Sequence, residues 1–200
     1  RSMLLPLLRE SRMTAATIRK YVKGDEIYAA GAPAQGLLKV CSGAVILFQL
    51  LEDGRRQIID FAAPGEVLHF ELDGNLDHFA EALTDVEIVE FSADDVMGDR
   101  ALAEFVFEQM RARLQRERAH ITMLGRKSAA ERLAEFLIIA SERLASPIGD
   151  IDLPMTRQQI ADYTGLTLET VSRLFSKWTL ERRLTKTGAH TYRIEGDLAV

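Results

Sequence analysis

The sequence predicts an α+β chain in three parts. These are an N-terminal antiparallel β-barrel or jelly roll over residues 1–98, a long dimerisation helix over 99–124 and a winged helix-turn-helix over 125–200. Three observations predict it. Residues 21–91 are short β-branched and aromatic runs cut by glycine turns. From Asp99 to Leu124 there is no glycine or proline, and the apolar residues take a helical period. Thr156 to Trp178 then reads as two short helices joined at a glycine.

The elements follow in order. Residues 4–20 are expected to form a short helix packed on the barrel. KGDEIY, LLKVCSGAVILFQLL, RRQIIDFAAPGEVLHF and EIVEF supply the strands, and Asp53-Gly54 between apolar runs marks a hairpin. Phe107, Met110, Leu114, Glu117, Ile121 and Leu124 are spaced alternately by three and four, an a/d seam with one polar position. Two-fold readers of DNA need such a partner seam, so it is assigned to a homodimer. Gly125 is expected to be a hinge, and a second amphipathic helix covers Ser128 to Leu144 until Pro147-Ile148-Gly149 ends it. After the helix-turn-helix, RRLTKTGAHTYRI reads as two strands around Gly188-Ala189, the wing.

The helix-turn-helix carries the function. Counting Arg157 as first, apolar residues stand at positions four (Ile160), ten (Leu166), fifteen (Val171) and eighteen (Leu174). Small Ala161 stands where the helices cross, and Gly165 where the turn needs positive φ. Between the apolar positions of the second helix lie Glu169, Thr170, Ser172 and Arg173, residue types that read base edges in a major groove. An ordinary helical hairpin would not require all of these at once.

Charge divides the chain in the same way. Residues 1–124 hold 14 Lys and Arg against 20 Asp and Glu, whereas residues 155–193 hold 7 against 3. Only the basic part suits phosphates. Cys41 is the single cysteine, so no internal disulfide can form, and a reducing cytoplasm is expected. No apolar run reaches membrane-spanning length, and Arg1-Ser2-Met3 reads as a cloning remnant before a shortened start. No metal-ligand spacing, nucleophile elbow or phosphate loop is present, which argues against an enzyme.

The order of these parts resembles the Crp/Fnr superfamily of bacterial transcription regulators. The likeness is densest in LGRKSAAERLAEF and LPMTRQQIADYTGLTLETVSR, with SGAV, LLEDGRRQI and APGEV similar to FixK-type members. It implies a cyclic-nucleotide-binding-like barrel and a homodimer on a palindrome close to TTGAT-N4-ATCAA. In that reading Arg173 contacts guanine O6/N7, Glu169 accepts from a cytosine amino group, and Ser172 touches the outer thymine pair. The side-chain chemistry independently suits the first two roles. Thr156, Thr167, Thr170, Lys177, Lys186 and His190 are assigned to backbone phosphates.

Departures from the family pattern bear on the signal. Cyclic-nucleotide binders of this fold hold the phosphate with Gly-Glu and Arg-Ser pairs, where this chain has His69-Phe70 and Leu76-Asp77. Without the arginine, and with an Asp there, cyclic AMP is not expected. One cysteine cannot build the four-cysteine iron–sulfur cluster of the Fnr type. Cys41 reads as a small buried hydrophobe rather than a redox thiol. His69 and His78 read as surface or satisfied core residues, with haem ligation as the sharper alternative. Glu117 would face its own copy in a parallel dimer, unless it bends to Arg113 or to Arg118 of the partner subunit. His120 is expected on the flank with no specific role.

Two functions compete. One is a dimeric activator of low-oxygen or nitrogen-oxide responses that recruits RNA polymerase, its level or dimer state setting its activity. The other is a haem-dependent gas sensor whose barrel gates DNA binding.

Overall fold

The computed structural model describes residues 18–144 and 150–198. The chain forms two compact units, Arg1–Leu47 with Pro64–Leu114, and Phe48–Ala63 with Gln115–Val200. A hairpin from the barrel sequence is counted in the second unit, and the long helix contributes to both.

The strands are β1 (Ile18–Tyr21), β2 (Glu26–Tyr28), β3 (Leu37–Ser42), β4 (Val45–Leu50), β5 (Arg56–Ala62), β6 (Phe79–Ala82) and β7 (Val86–Phe91). In the first unit, β1, β7 and β3 make one antiparallel sheet, with Ile18 opposite Val89 and Val40 opposite Ile88. β2, β6 and β4 are successive neighbours in another. Inward side chains such as Leu37, Val40, Ile46, Leu47, Leu68 and Ile88 are fully buried between them. Gly43 closes β3 onto β4 with φ of 81°, and a Cβ there would run into the Asp85 carbonyl. Only glycine meets both demands.

Several expectations change here. Ile18 to Lys20 belong to β1, and the rest of the helix expected over 4–20 lies outside the described residues. VLHF is no strand: Val67 makes a single isolated bridge to Lys39. β6 was not foreseen, because FAEA alternates too briefly to signal a strand. Cys41 is exposed at the end of β3 rather than buried.

Helix α1 (Ala93–Gly98) starts at a capping box in which Ser92 and Asp95 satisfy each other's backbone N–H groups. Helix α2 (Arg100–Arg126) is 27 residues and about 40 Å long. In the first unit, Leu102, Phe105 and Val106 pack against Leu37, Val89 and Phe91. On another face Phe107, Met110, Leu114 and Ile121 are exposed, a large apolar stripe with Glu117 also exposed within it. Leu124, the last seam residue, is half-buried. Arg113, an expected partner of Glu117, is buried and donates to the Val67 carbonyl at 2.9 Å.

Gly125 is not a hinge, since α2 passes through it and breaks at Lys127. Ser128 then caps α3 (Ala129–Arg143) in a second capping box with Glu131, and buries Leu133, Phe136, Leu137 and Ala140. The expected stop at Pro147-Ile148-Gly149 lies outside the described residues.

In the second unit, β5 follows β4, and Phe61 from β5 packs edge-on to Phe136 and Tyr163 at 6.3 and 5.9 Å. His120 departs from its expected flank position. It is buried, stacks on Tyr163 at 4.3 Å, and places Nε2 2.8 Å from the Tyr163 carbonyl oxygen. That carbonyl lies in the last turn of a short helix, where no intrahelical partner exists. Asp60, also on β5, is buried between the guanidiniums of Arg116 and Arg143, at 3.2 and 2.8 Å. Among the described residues, no helix is long and apolar enough to cross a membrane.

Candidate nucleic-acid interface

The reader is built from α4 (Arg157–Thr164) and α5 (Leu168–Leu180). Thr156 caps α4, its hydroxyl accepting from the Gln159 N–H at 3.1 Å while Gln159 returns the bond. Gly165 ends the helix in the left-handed region, φ 62° and ψ 35°, as the sequence required. A side chain there would also press on Leu124 Cδ2 at 3.1 Å. Thr167 then caps α5 by accepting from the Thr170 N–H.

The buried face of this pair differs in part from the expected one. Ile160, Ala161 and Val171 are buried, but Leu166 and Leu174 are only half-buried. Phe175 and Trp178 take the deep positions on α5. With that side anchored, Glu169, Ser172 and Arg173 share the opposite face, spaced by three and four. Glu169 and Arg173 are exposed and Ser172 is half-buried. Glu169 and Arg173 line one cleft of about 850 Å³ with Thr167 and Thr170, whereas Ser172 lines a second with Lys186 and Tyr192.

The chemistry of this face is that of a charged reader. The Glu169 carboxylate accepts from its own backbone N–H and from the Thr167 hydroxyl, which holds it below the usual carboxylate range. It is therefore an ionised acceptor at the start of a helix, where negative charge is favoured. Arg173 offers paired donors that match guanine O6 and N7. Around them, Thr156, Lys177, Lys186 and His190 are exposed, and Thr170 is half-buried.

The wing is β9 (Leu184–Lys186) and β10 (Thr191–Ile194), extended into a three-stranded sheet by β8 (Ile151–Asp152), which the sequence did not reveal. Asp150 anchors it, accepting from Thr187 Oγ1 at 2.6 Å and Arg193 Nε at 2.8 Å. One functional residue escaped sequence reasoning. The Arg157 guanidinium lies 3.3 Å from the Phe175 ring centroid and donates to the Tyr192 hydroxyl at 2.8 Å. It thus joins α4, α5 and the wing. Its signal was an arginine opening the motif, with aromatics on both partner elements.

The sensor candidates meet in the first unit. His78 Nε2 lies 2.6 Å from the Tyr28 hydroxyl and its Nδ1 2.5 Å from Asp77 Oδ1. Tyr28 stands edge-on to both His69 and His78, at 5.3 and 5.5 Å. The two histidines are therefore buried neighbours rather than surface residues. Cys41 is exposed on β3. Among the described residues, no three His, Cys, Asp or Glu gather as a metal site.

Burial lowers the His69 imidazole from an ordinary 6.5 to about 4. The unfolded chain therefore takes up a proton near pH 6.5, and the folded chain only near 4. Stability is intact above pH 6.5 and falls below it, by about 1.4 kcal/mol per pH unit, down to about pH 4. Urea unfolding at stepped pH checks this, and His69→Gln should flatten the profile in that window.

Residues 131–195 match the Crp-like helix-turn-helix domain, and residues 18–98 the cyclic nucleotide-binding domain. The nitrogen fixation regulation protein FixK of Rhizobium meliloti is 40% identical over 163 residues, covering 80% of this chain and 74% of the relative. The FixK protein of Bradyrhizobium diazoefficiens is 38% identical over 169 residues, covering 81% and 70%. Among solved structures, FixK2 from Bradyrhizobium japonicum superposes with a TM-score of 0.84 at 36% identity, covering 92% of this chain and 94% of that one.

Proposed function

The chain belongs to the Crp/Fnr family of DNA-binding transcription regulators, among its FixK-like members, and from that premise we propose that it acts as a homodimeric activator on a TTGAT-N4-ATCAA-like palindrome. Arg173 reads a guanine, Glu169 a cytosine amino group, and Ser172 the outer thymine pair. Thr156, Thr167, Thr170, Lys177, Lys186 and His190 bind phosphates. The observation that carries this reading is one helix face. Glu169 and Arg173 stand exposed one turn apart, while Val171, Phe175 and Trp178 bury the back of the same helix. Two such helices enter successive major grooves about one helical turn apart.

The exposed stripe from Phe107 to Ile121 supports a dimer seam, because α2 leaves these large apolar side chains exposed among the described residues. Glu117 interrupts that stripe, and two facing carboxylates oppose each other. Glu117→Ala should therefore tighten self-association in analytical ultracentrifugation. An unchanged dimer constant would remove Glu117 from the seam.

In this reading the bound dimer recruits RNA polymerase in low-oxygen or nitrogen-oxide responses. No small-molecule cofactor is part of this reading. His78 has both ring nitrogens engaged, by Tyr28 and Asp77, which disfavours it as a haem ligand. His69-Phe70 and Leu76-Asp77 supply no arginine for a cyclic-nucleotide phosphate. The test is binding to a TTGAT-N4-ATCAA duplex and to a scrambled one, each with and without air and nitric oxide. Preference for the palindrome regardless of gas is expected. Equal binding to both duplexes would overturn the base contacts, and a gas-dependent response would restore the sensor reading.

A further inference from the structure

The β4–β5 hairpin brings a cation to the reader from outside the helix-turn-helix. Its tip is a three-residue loop in which Leu51 N–H donates to the Arg55 carbonyl, with Gly54 at φ 81°. Behind the tip, the hairpin is fastened to α4. Arg56 Nε donates to Asp162 Oδ2 at 3.2 Å, and Gln57 Nε2 to the Asp162 carbonyl at 2.7 Å. The first helix of a helix-turn-helix is the one that crosses the DNA backbone. A hairpin fastened to that helix is carried to the same strand.

Arg55 is the residue next outward. Its side chain is 76% exposed, and it lines the 850 Å³ cleft whose other wall holds Thr167, Glu169, Thr170 and Arg173. It is held at 2.7 Å by Asp53, an exposed carboxylate in the same loop. Such an exposed pair contributes little, so its guanidinium can exchange the carboxylate for a phosphate that it binds bidentately.

We propose that the hairpin tip is a second DNA-contacting element, in which Arg55 binds a backbone phosphate beside the bases faced by Glu169 and Arg173. This rests on the base-reading assignment above and extends the footprint beyond the winged helix-turn-helix. Asp53 serves as the resting partner that keeps Arg55 extended along the rim of the cleft. The contact is to phosphate, so it adds affinity without sequence preference.

The test follows duplex binding by fluorescence anisotropy of the full chain from 50 to 200 mM salt, on the palindrome and on the scrambled duplex. One phosphate contact per protomer predicts that Arg55→Ala lowers the slope of log K against log salt by about 2 per dimer. The affinity lost across that salt range should then shrink roughly ten-fold relative to wild type. Both duplexes should weaken together, the ratio between them should hold, and Arg55→Lys should restore the slope. A wild-type slope in Arg55→Ala would overturn the proposal and leave the tip as a surface for a protein partner. Wild-type protein that binds both duplexes equally would instead sink the base-reading assignment, which the slope comparison does not depend on.

Discussion

Asp60→Ala is expected to destabilise the chain by about 3–5 kcal/mol, the range for breaking a buried ion pair by removing one partner. For a chain of this size that corresponds to a fall in Tm of about 6–20 °C. Asp60 accepts from Arg116 Nε at 3.2 Å, from Arg143 Nη1 at 2.8 Å and from the Phe61 N–H at 2.8 Å. The Arg143 guanidinium also lies over the Phe61 ring at 4.1 Å and donates to the Phe61 carbonyl. Without the carboxylate, the two guanidiniums lose the buried charge that both of them contact. Asp60→Asn keeps the volume and an acceptor oxygen, and should lose less. Urea denaturation of both variants measures the difference, and an unchanged midpoint for Asp60→Ala would show the cluster to be well solvated.

Arg173→Ala should relax discrimination at one base pair of each half-site by about 1–3 kcal/mol, roughly 5- to 150-fold in relative affinity. Its side chain is exposed, so the loss falls on recognition and not on folding. The measurement is a set of duplexes substituted at each half-site position in turn. Wild type should penalise every change, whereas the variant should tolerate any base at the position Arg173 reads. A uniform loss across the set would make Arg173 a phosphate contact.

The reader was legible because its demands are local. Gly165 must take positive φ and the polar face must keep its spacing, all within 23 residues, whereas the caps at Thr156 and Thr167 emerged only in the structure. The amphipathic helix that follows Ser128 was legible for the same reason. What escaped depends on partners distant in sequence. His120 looked like a flank residue because its stacking partner, Tyr163, is 43 positions away. Arg157 showed no role until Phe175 and Tyr192 closed around it. Gly125 failed as a hinge because a single glycine costs a helix only about 1 kcal/mol, and α2 is long enough to absorb that. Cys41 misled because an apolar neighbourhood in sequence says nothing of which strand face a residue takes.

Trp178 has a use beyond filling the core of the reader. It is the chain's single tryptophan and it is fully buried on α5, on the side away from Glu169 and Arg173. Emission excited at the red edge of protein absorbance therefore originates from this module alone, with no contribution from the barrel. A denaturation curve followed by that emission and one followed by far-ultraviolet dichroism report different portions of the molecule. Superimposable curves would mean that the two units melt as one cooperative body, and separated curves would give each unit its own free energy.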